Sequence, residues 1–159
     1  MSDDQAVLAR LQRLEDLEEI NRLFQEYRRH LDARDMHAYS LLFCEDGEWS
    51  GRTGSAVGPK QIQEMLEANL SPNPPAPGAT SWHIVSNPTV DLDGDRATAQ
   101  VTWALIRRGE GDEPALTLLG HYDDVLAREH GRWRFKSRKA QIDIPHHPVS
   151  HASEGSRQR

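Results

Sequence analysis

From Ala6 to about Ala33 the apolar residues Leu14, Leu17, Ile20, Phe24, Tyr27 and Leu31 recur at steps of three and four, with Glu, Arg and Gln between them. That period predicts one long amphipathic helix with a single buried stripe. After the break at "DARD", Asp35 can cap a second, short helix over "MHAYSLLF". The chain then turns through "CEDGEWSGRTGS", where Gly47, Gly51 and Gly54 punctuate a short strand around Trp49. In "GPKQIQEMLEANL", Ile62, Met65, Leu66 and Leu70 fall on one face of a third helix.

The pattern changes at residues 71–80, "SPNPPAPGAT", whose four prolines exclude helix and central strand and predict a loop. Strand-like stretches follow at 81–92, 96–108, 115–128 and 132–144, joined by "DGD", "RRGEGDEP" and "REHGR", which read as hairpin turns. Helices first and an antiparallel meander afterwards predict an α+β fold, with the helices packed on one face of a curled sheet. The expected organisation is a single domain over 1–145 and a flexible tail over 146–159. That tail, "HHPVSHASEGSRQR", is poor in apolar residues, and its histidines match no metal-site spacing.

Composition narrows the function classes. The net charge of −6, with basic residues scattered, gives no footprint for nucleic acid. No run approaches the roughly 20 apolar residues of a membrane span, and "MSDDQAVLARLQRLED" lacks the pattern of a signal peptide. A single cysteine, Cys44, excludes an internal disulfide and suits a reducing compartment. A soluble cytoplasmic protein is the expectation. No phosphate-binding glycine loop and no zinc-ligand spacing is present, so neither a cofactor nor a metal is expected.

The candidate chemistry starts in "TSWHIVSNP". Pleating sends His83, Val85 and Asn87 to one face and Trp82, Ile84 and Ser86 to the other. His83 either satisfies a neighbouring carbonyl or is a placed polar group in an apolar pocket. Asp32, five residues beyond Tyr27, sits where the long helix ends, and a carboxylate there opposes the local dipole. It is either a surface turn residue or a functional group. His121, in "GHYDD", lines a pocket only if the pleat turns Tyr122 outward. Trp49, Trp82 and Trp103 can serve as flat pocket walls or as plain core. Cys44, after "LLF", reads as buried packing, with no base beside it in sequence.

Taken in order, Tyr-x4-Asp on the first helix, a short helix ending in Phe, an acidic strand reaching Trp, "VGPKQI", "WHIVSNPTV" and "GHYDDVLAREHGRWRFKSRKAQID" resemble the SnoaL-like group of the nuclear transport factor 2-like superfamily. The resemblance covers about residues 10–145. It implies a cone-shaped α+β barrel: a long N-terminal helix plus two shorter helices on a curved, mostly antiparallel sheet, with a pocket on the concave face and a homo-oligomer, dimer or trimer. Dehydratase-type enzymes of the group pair an aspartate ending the first helix with a histidine on the first long strand, and Asp32 and His83 stand at those places. Tyr27 and Arg138 fall at or near two further active-site positions. Where scytalone dehydratase carries a second strand histidine, this chain has Thr102 or Trp103.

The implied roles are His83 as base, Asp32 as its orienting partner, Tyr27 as a hydrogen-bond donor to a substrate oxygen, and Arg138 as holder of an anionic group or oxyanion. The expected function is a cofactor-independent lyase or isomerase, dehydratase- or cyclase-like, acting on a small hydrophobic and cyclic substrate. The alternative is a non-catalytic ligand-binding protein or a structural partner like the β-subunit of ring-hydroxylating dioxygenases.

Overall fold

The structure, a computed structural model, describes residues 3–70 and 81–145. The loop expected at 71–80 and the tail at 146–159 lie outside the described residues. Helix α1 runs Asp3–Ala33, α2 Met36–Ser40 and α3 Pro59–Asn69; the strands are β1 Phe43–Gly51, β2 Gly54–Val57, β3 Ser81–Asp93, β4 Arg96–Arg108, β5 Pro114–Glu129 and β6 Arg132–Ile144. They form one six-stranded curved sheet in the order β2-β1-β6-β5-β4-β3. Every neighbouring pair is antiparallel except β1 and β6, which run parallel from Phe43↔Phe135 to Ser50↔Lys139.

Local chemistry accounts for the elements. Asp35 caps α2, its side chain accepting from the Ala38 amide at 3.0 Å. Pro59 stands in the first turn of α3, where its missing N–H costs nothing. In β4 burial alternates strictly, Ala97, Ala99, Val101, Trp103 and Leu105 facing the helices. On β3 the alternation that turns the half-buried His83 and Val85 inward breaks at a bulge between Ser86 and Thr89, where Asn87 takes φ 52° and is exposed. Asn87 therefore leaves the face that simple pleating assigned to it.

The stripe of α1 is shorter than its spacing predicts. Ile20, Leu23, Phe24, Tyr27 and Leu31 are buried, but Leu14 is 63% exposed and the turns before it project from the sheet. The buried stripe opens on a charge instead, because the sheet's lower end offers polar partners. Asp16 accepts from Trp133 Nε1 and Gln12 Nε2, both at 3.1 Å, and is paired with Arg128. Burial pushes the Asp16 carboxyl up, but these donors outweigh it and hold it below its ordinary value. A depressed carboxyl stabilises the fold above its unfolded value of about 3.9 and stops doing so as pH falls through its folded one. Asp16→Asn should therefore cost about 1–3 kcal/mol at pH 7. In urea unfolding, the gap to the wild type should shrink at pH 3.

Candidate active site

The three helices and the concave face of the sheet enclose a cavity of about 190 Å³, which Tyr27, Leu31, Tyr39, Trp49, Leu66, His83, Trp103, Leu118 and Tyr122 help to line. An apolar cavity of about 150 Å³ holds a benzene ring, so this one suits a ring-sized molecule. Its flat wall depends on Gly120. Trp103 lies opposite that glycine in the β4–β5 register, and a Cβ there would stand 2.5 Å from the indole and 2.0 Å from the Gln141 carbonyl oxygen.

The last turn of α1 reaches β3, an edge strand whose outer N–H groups have no neighbouring strand to pair with. Asp32 supplies that partner: its carboxylate accepts from the His83 amide at 3.1 and 3.3 Å. The same carboxylate meets His83 Nδ1 at 2.6 Å and Arg28 Nη1 at 3.4 Å. A 2.6 Å nitrogen–oxygen contact needs a proton, and a carboxylate that is accepting from two other donors brings none, so Nδ1 carries it. In the neutral ring that leaves the lone pair on Nε2, on the opposite edge, which has no hydrogen-bond partner among the described residues. The unfavourable place of Asp32 at a helix end thus has a local compensation.

Tyr27, Tyr39 and Tyr122 form an aromatic cluster on the cavity floor, with Tyr27 4.6 Å from Tyr39 and 5.5 Å from Tyr122 between ring centroids. Trp49 Nε1 donates to the Tyr27 hydroxyl at 3.2 Å. Burial first, and Tyr27 second, push the hydroxyls of Tyr39 and Tyr122 well above the usual range, so both stay protonated as donors. Tyr39 and Tyr122 carry no role in the sequence reading. A buried tyrosine on the inward face of "GHYDDV" is the signal that could have found the second.

Arg138 sits elsewhere than its expected role requires. Its guanidinium lies behind the cavity wall, fully enclosed, bonded through Nε and Nη2 to the two Asp124 oxygens at 2.8 and 2.6 Å. It stacks on Tyr27, Tyr122 and Phe135 at 4.0–4.1 Å from their centroids. Burial would discharge it, but Asp124 more than offsets this and keeps it cationic. It supports the tyrosine floor rather than lining the cavity.

Two expected pocket residues also lie outside. Trp82 is on the outer face of the sheet, 51% exposed, with Arg28 5.7 Å above its ring. Tyr122 turns inward, so His121 turns out, where Nδ1 meets Asp143 at 2.7 Å. Tyr27, Trp49, Trp103 and His83 do line the cavity, with Asp32 directly behind His83. Trp103 Nε1 and Thr53 Oγ1, on lining residues, are buried with no hydrogen-bond partner among the described residues. Cys44 is buried packing, and burial pushes its thiol up, away from nucleophile chemistry. Among the described residues no cluster of His, Cys, Asp and Glu could hold a metal ion, and no helix is long and apolar enough to cross a membrane.

Several solved structures share this architecture. An NTF2-like protein with a cystatin-like fold from Novosphingobium aromaticivorans is 26% identical, with 92% of this chain and 94% of that one covered and a TM-score of 0.79. A proposed scytalone dehydratase from the same organism is 24% identical, covering 89% of this chain and 97% of its own, at a TM-score of 0.66. LinA is 22% identical over 84% of this chain and 89% of its own, with a TM-score of 0.69. No functionally curated protein matches by sequence. The profile of the SnoaL-like domain matches residues 12–139, most of the long helix and all but the end of the last strand. The chain belongs to the SnoaL-like domain family.

Proposed function

We propose that this protein is a cofactor-independent lyase or isomerase, dehydratase- or cyclase-like, that removes a proton from carbon in a small ring-containing carbonyl or hydroxy compound. The observation that carries the reading is the 2.6 Å contact between Asp32 and His83 at the wall of an apolar cavity. His83 Nε2 takes the proton, and Asp32 holds the ring in the tautomer that leaves Nε2 free and stabilises the imidazolium. The electrons of the broken C–H bond move toward the adjacent carbonyl. They then expel a neighbouring hydroxyl, which leaves as water on taking a proton, or they return to a different carbon. Tyr27 donates to the oxygen on which charge develops, and its bond from Trp49 aligns it.

The test is solvent exchange: 2-tetralone and hydroxylated ring ketones are incubated in D2O and followed by NMR for loss of C–H signal and for new alkene signals. Exchange faster than in buffer is expected. Binding of these ketones with no catalysed exchange would sink the enzyme reading and favour the non-catalytic one. A buried thiol and no expected disulfide fit a cytoplasmic setting.

Assembly as a homodimer is part of the same proposal. On the outer face Trp82, Ile106 and Leu116 align in one row, and Ile84, Ala104, Leu119 and Ile144 in the next. Trp82, Ile84, Leu116 and Ile144 are 45–60% exposed. The next outward row pairs His121 with Gln141 and the one beyond it Asp123 with Lys139, so the apolar rows have a polar border, as an interface between two copies does. Light scattering should give a dimer for the wild type and a monomer for Ile84→Asp; a monomeric wild type overturns this part.

A further inference from the structure

Three arginines stand around the cavity: Arg34 just beyond the end of α1, Arg52 in the β1–β2 turn and Arg107 near the end of β4. Among the described residues the lining contains no Asp or Glu, although the chain carries 25 acidic residues against 19 basic ones. Some arginines elsewhere are ion-paired, Arg28 to Asp32, Arg128 to Asp16, Arg134 to Glu129 and Arg138 to Asp124, and others such as Arg22, Arg96 and Arg132 stand away from the cavity. Arg34, Arg52 and Arg107 have no carboxylate partner among the described residues. Arg34 reaches only neutral acceptors, the Leu31 carbonyl at 3.4 Å and the Ser81 hydroxyl at 3.5 Å. Ser81 pairs with Arg107 across β3 and β4, so Arg34 and Arg107 flank one residue at the rim.

An apolar interior under a cationic, acid-free rim is complementary to one kind of small molecule. We propose that the substrate is a ring compound bearing a carboxylate, its ring between Trp49 and Trp103 and its carboxylate held at the rim by Arg107 and Arg34, with Arg52 adding charge. Guanidinium groups bind carboxylates in a planar, charge-assisted geometry, which fixes the ring's orientation as well as its affinity. Anchoring one end at the rim decides which ring carbon meets His83 Nε2. The arginine rim thereby sets regiochemistry as well as binding. The surplus of acid elsewhere on the chain repels such a ligand from other surfaces, so its retention falls to this rim.

This inference rests on the proposed function for its site but is tested without catalysis. The probes are 2-naphthoate and 2-naphthamide, the same ring with and without the negative charge, titrated into the whole protein by calorimetry. The carboxylate should bind at least about tenfold more tightly, with an affinity that falls as salt is raised while the amide's does not. In Arg107→Gln and Arg34→Gln, checked for folding by circular dichroism, the preference should fall to within about twofold. Equal binding of the two probes, absence of carboxylate binding, or a preference untouched by both substitutions would each overturn the inference. None of these results bears on His83: exchange into neutral ketones judges the base, and calorimetry judges the rim.

Discussion

Under the proposed function, replacing His83 with Gln should lower the rate of carbon proton abstraction by about 10²–10⁴-fold, the usual contribution of a positioned general base. Glutamine keeps the strand and its backbone bond to Asp32, because that bond comes from the His83 amide rather than the ring. Folding and ligand affinity should therefore change little, and the loss should fall on turnover. Asp32→Asn separates the two functions of the carboxylate. The amide can still face the strand, but it no longer insists on a proton at Nδ1 or stabilises an imidazolium. A loss of about 10²–10³-fold is expected, since a base held in the wrong tautomer is nearly as poor as none. Nitrogen NMR reads the cause directly: His83 should be protonated at Nδ1 in the wild type and populate both tautomers in Asp32→Asn. Unchanged exchange rates in both variants would leave the pair as a structural tie between α1 and β3 and remove the base from the mechanism.

The strands of the meander were legible almost to the residue, because each pairs with its neighbour through a short turn and its alternation needs only local chemistry. The parallel pairing of β1 with β6 joins segments some ninety positions apart, and no local pattern announces it. The Asp32–His83 contact spans fifty-one positions and was reached through family resemblance, with the misplaced carboxylate as the only local sign. Other parts of the site were within reach of simple parity. Neighbours in a strand point to opposite faces, so Trp82 and His83 could not both enter one cavity. The same parity on "GHYDDV" sends Tyr122 and Asp124 inward together and His121 outward. Leu14 failed for a different reason: periodicity marks a stripe but not where the surface beneath it ends. Arg34, Arg52 and Arg107 come from three separate segments, and only the folded chain brings them to one cavity.

Asp124→Asn should be the most destabilising single change of a polar residue in this chain. Asp124 and Arg138 face each other across β5 and β6 with side chains at 0% exposure, and both oxygens of the acid meet the guanidinium. Burial pushes the Asp124 carboxyl up while Arg138 pulls it down, so each charge is tolerated only because the other is present. Removing one leaves an unpaired cation under three aromatic rings, at a cost of about 3–5 kcal/mol. Aromatic faces soften that penalty but do not replace a carboxylate, since cation–π contacts contribute about 0.5–2 kcal/mol. For a chain of this size the melting temperature should drop by roughly 6–20 °C. The double replacement Asp124→Leu with Arg138→Met removes both charges and fills similar volume, and it should recover most of the lost stability. Urea unfolding of the wild type, both single variants and the double variant measures the coupling. A cost below about 1 kcal/mol for Asp124→Asn would mean that water reaches the pair. Exchange rates in the double variant then separate packing from positioning. Full activity would make Arg138 a structural support alone, whereas a stable fold with poor turnover would show that its charge fixes the tyrosine hydroxyls where the substrate's oxygen must lie.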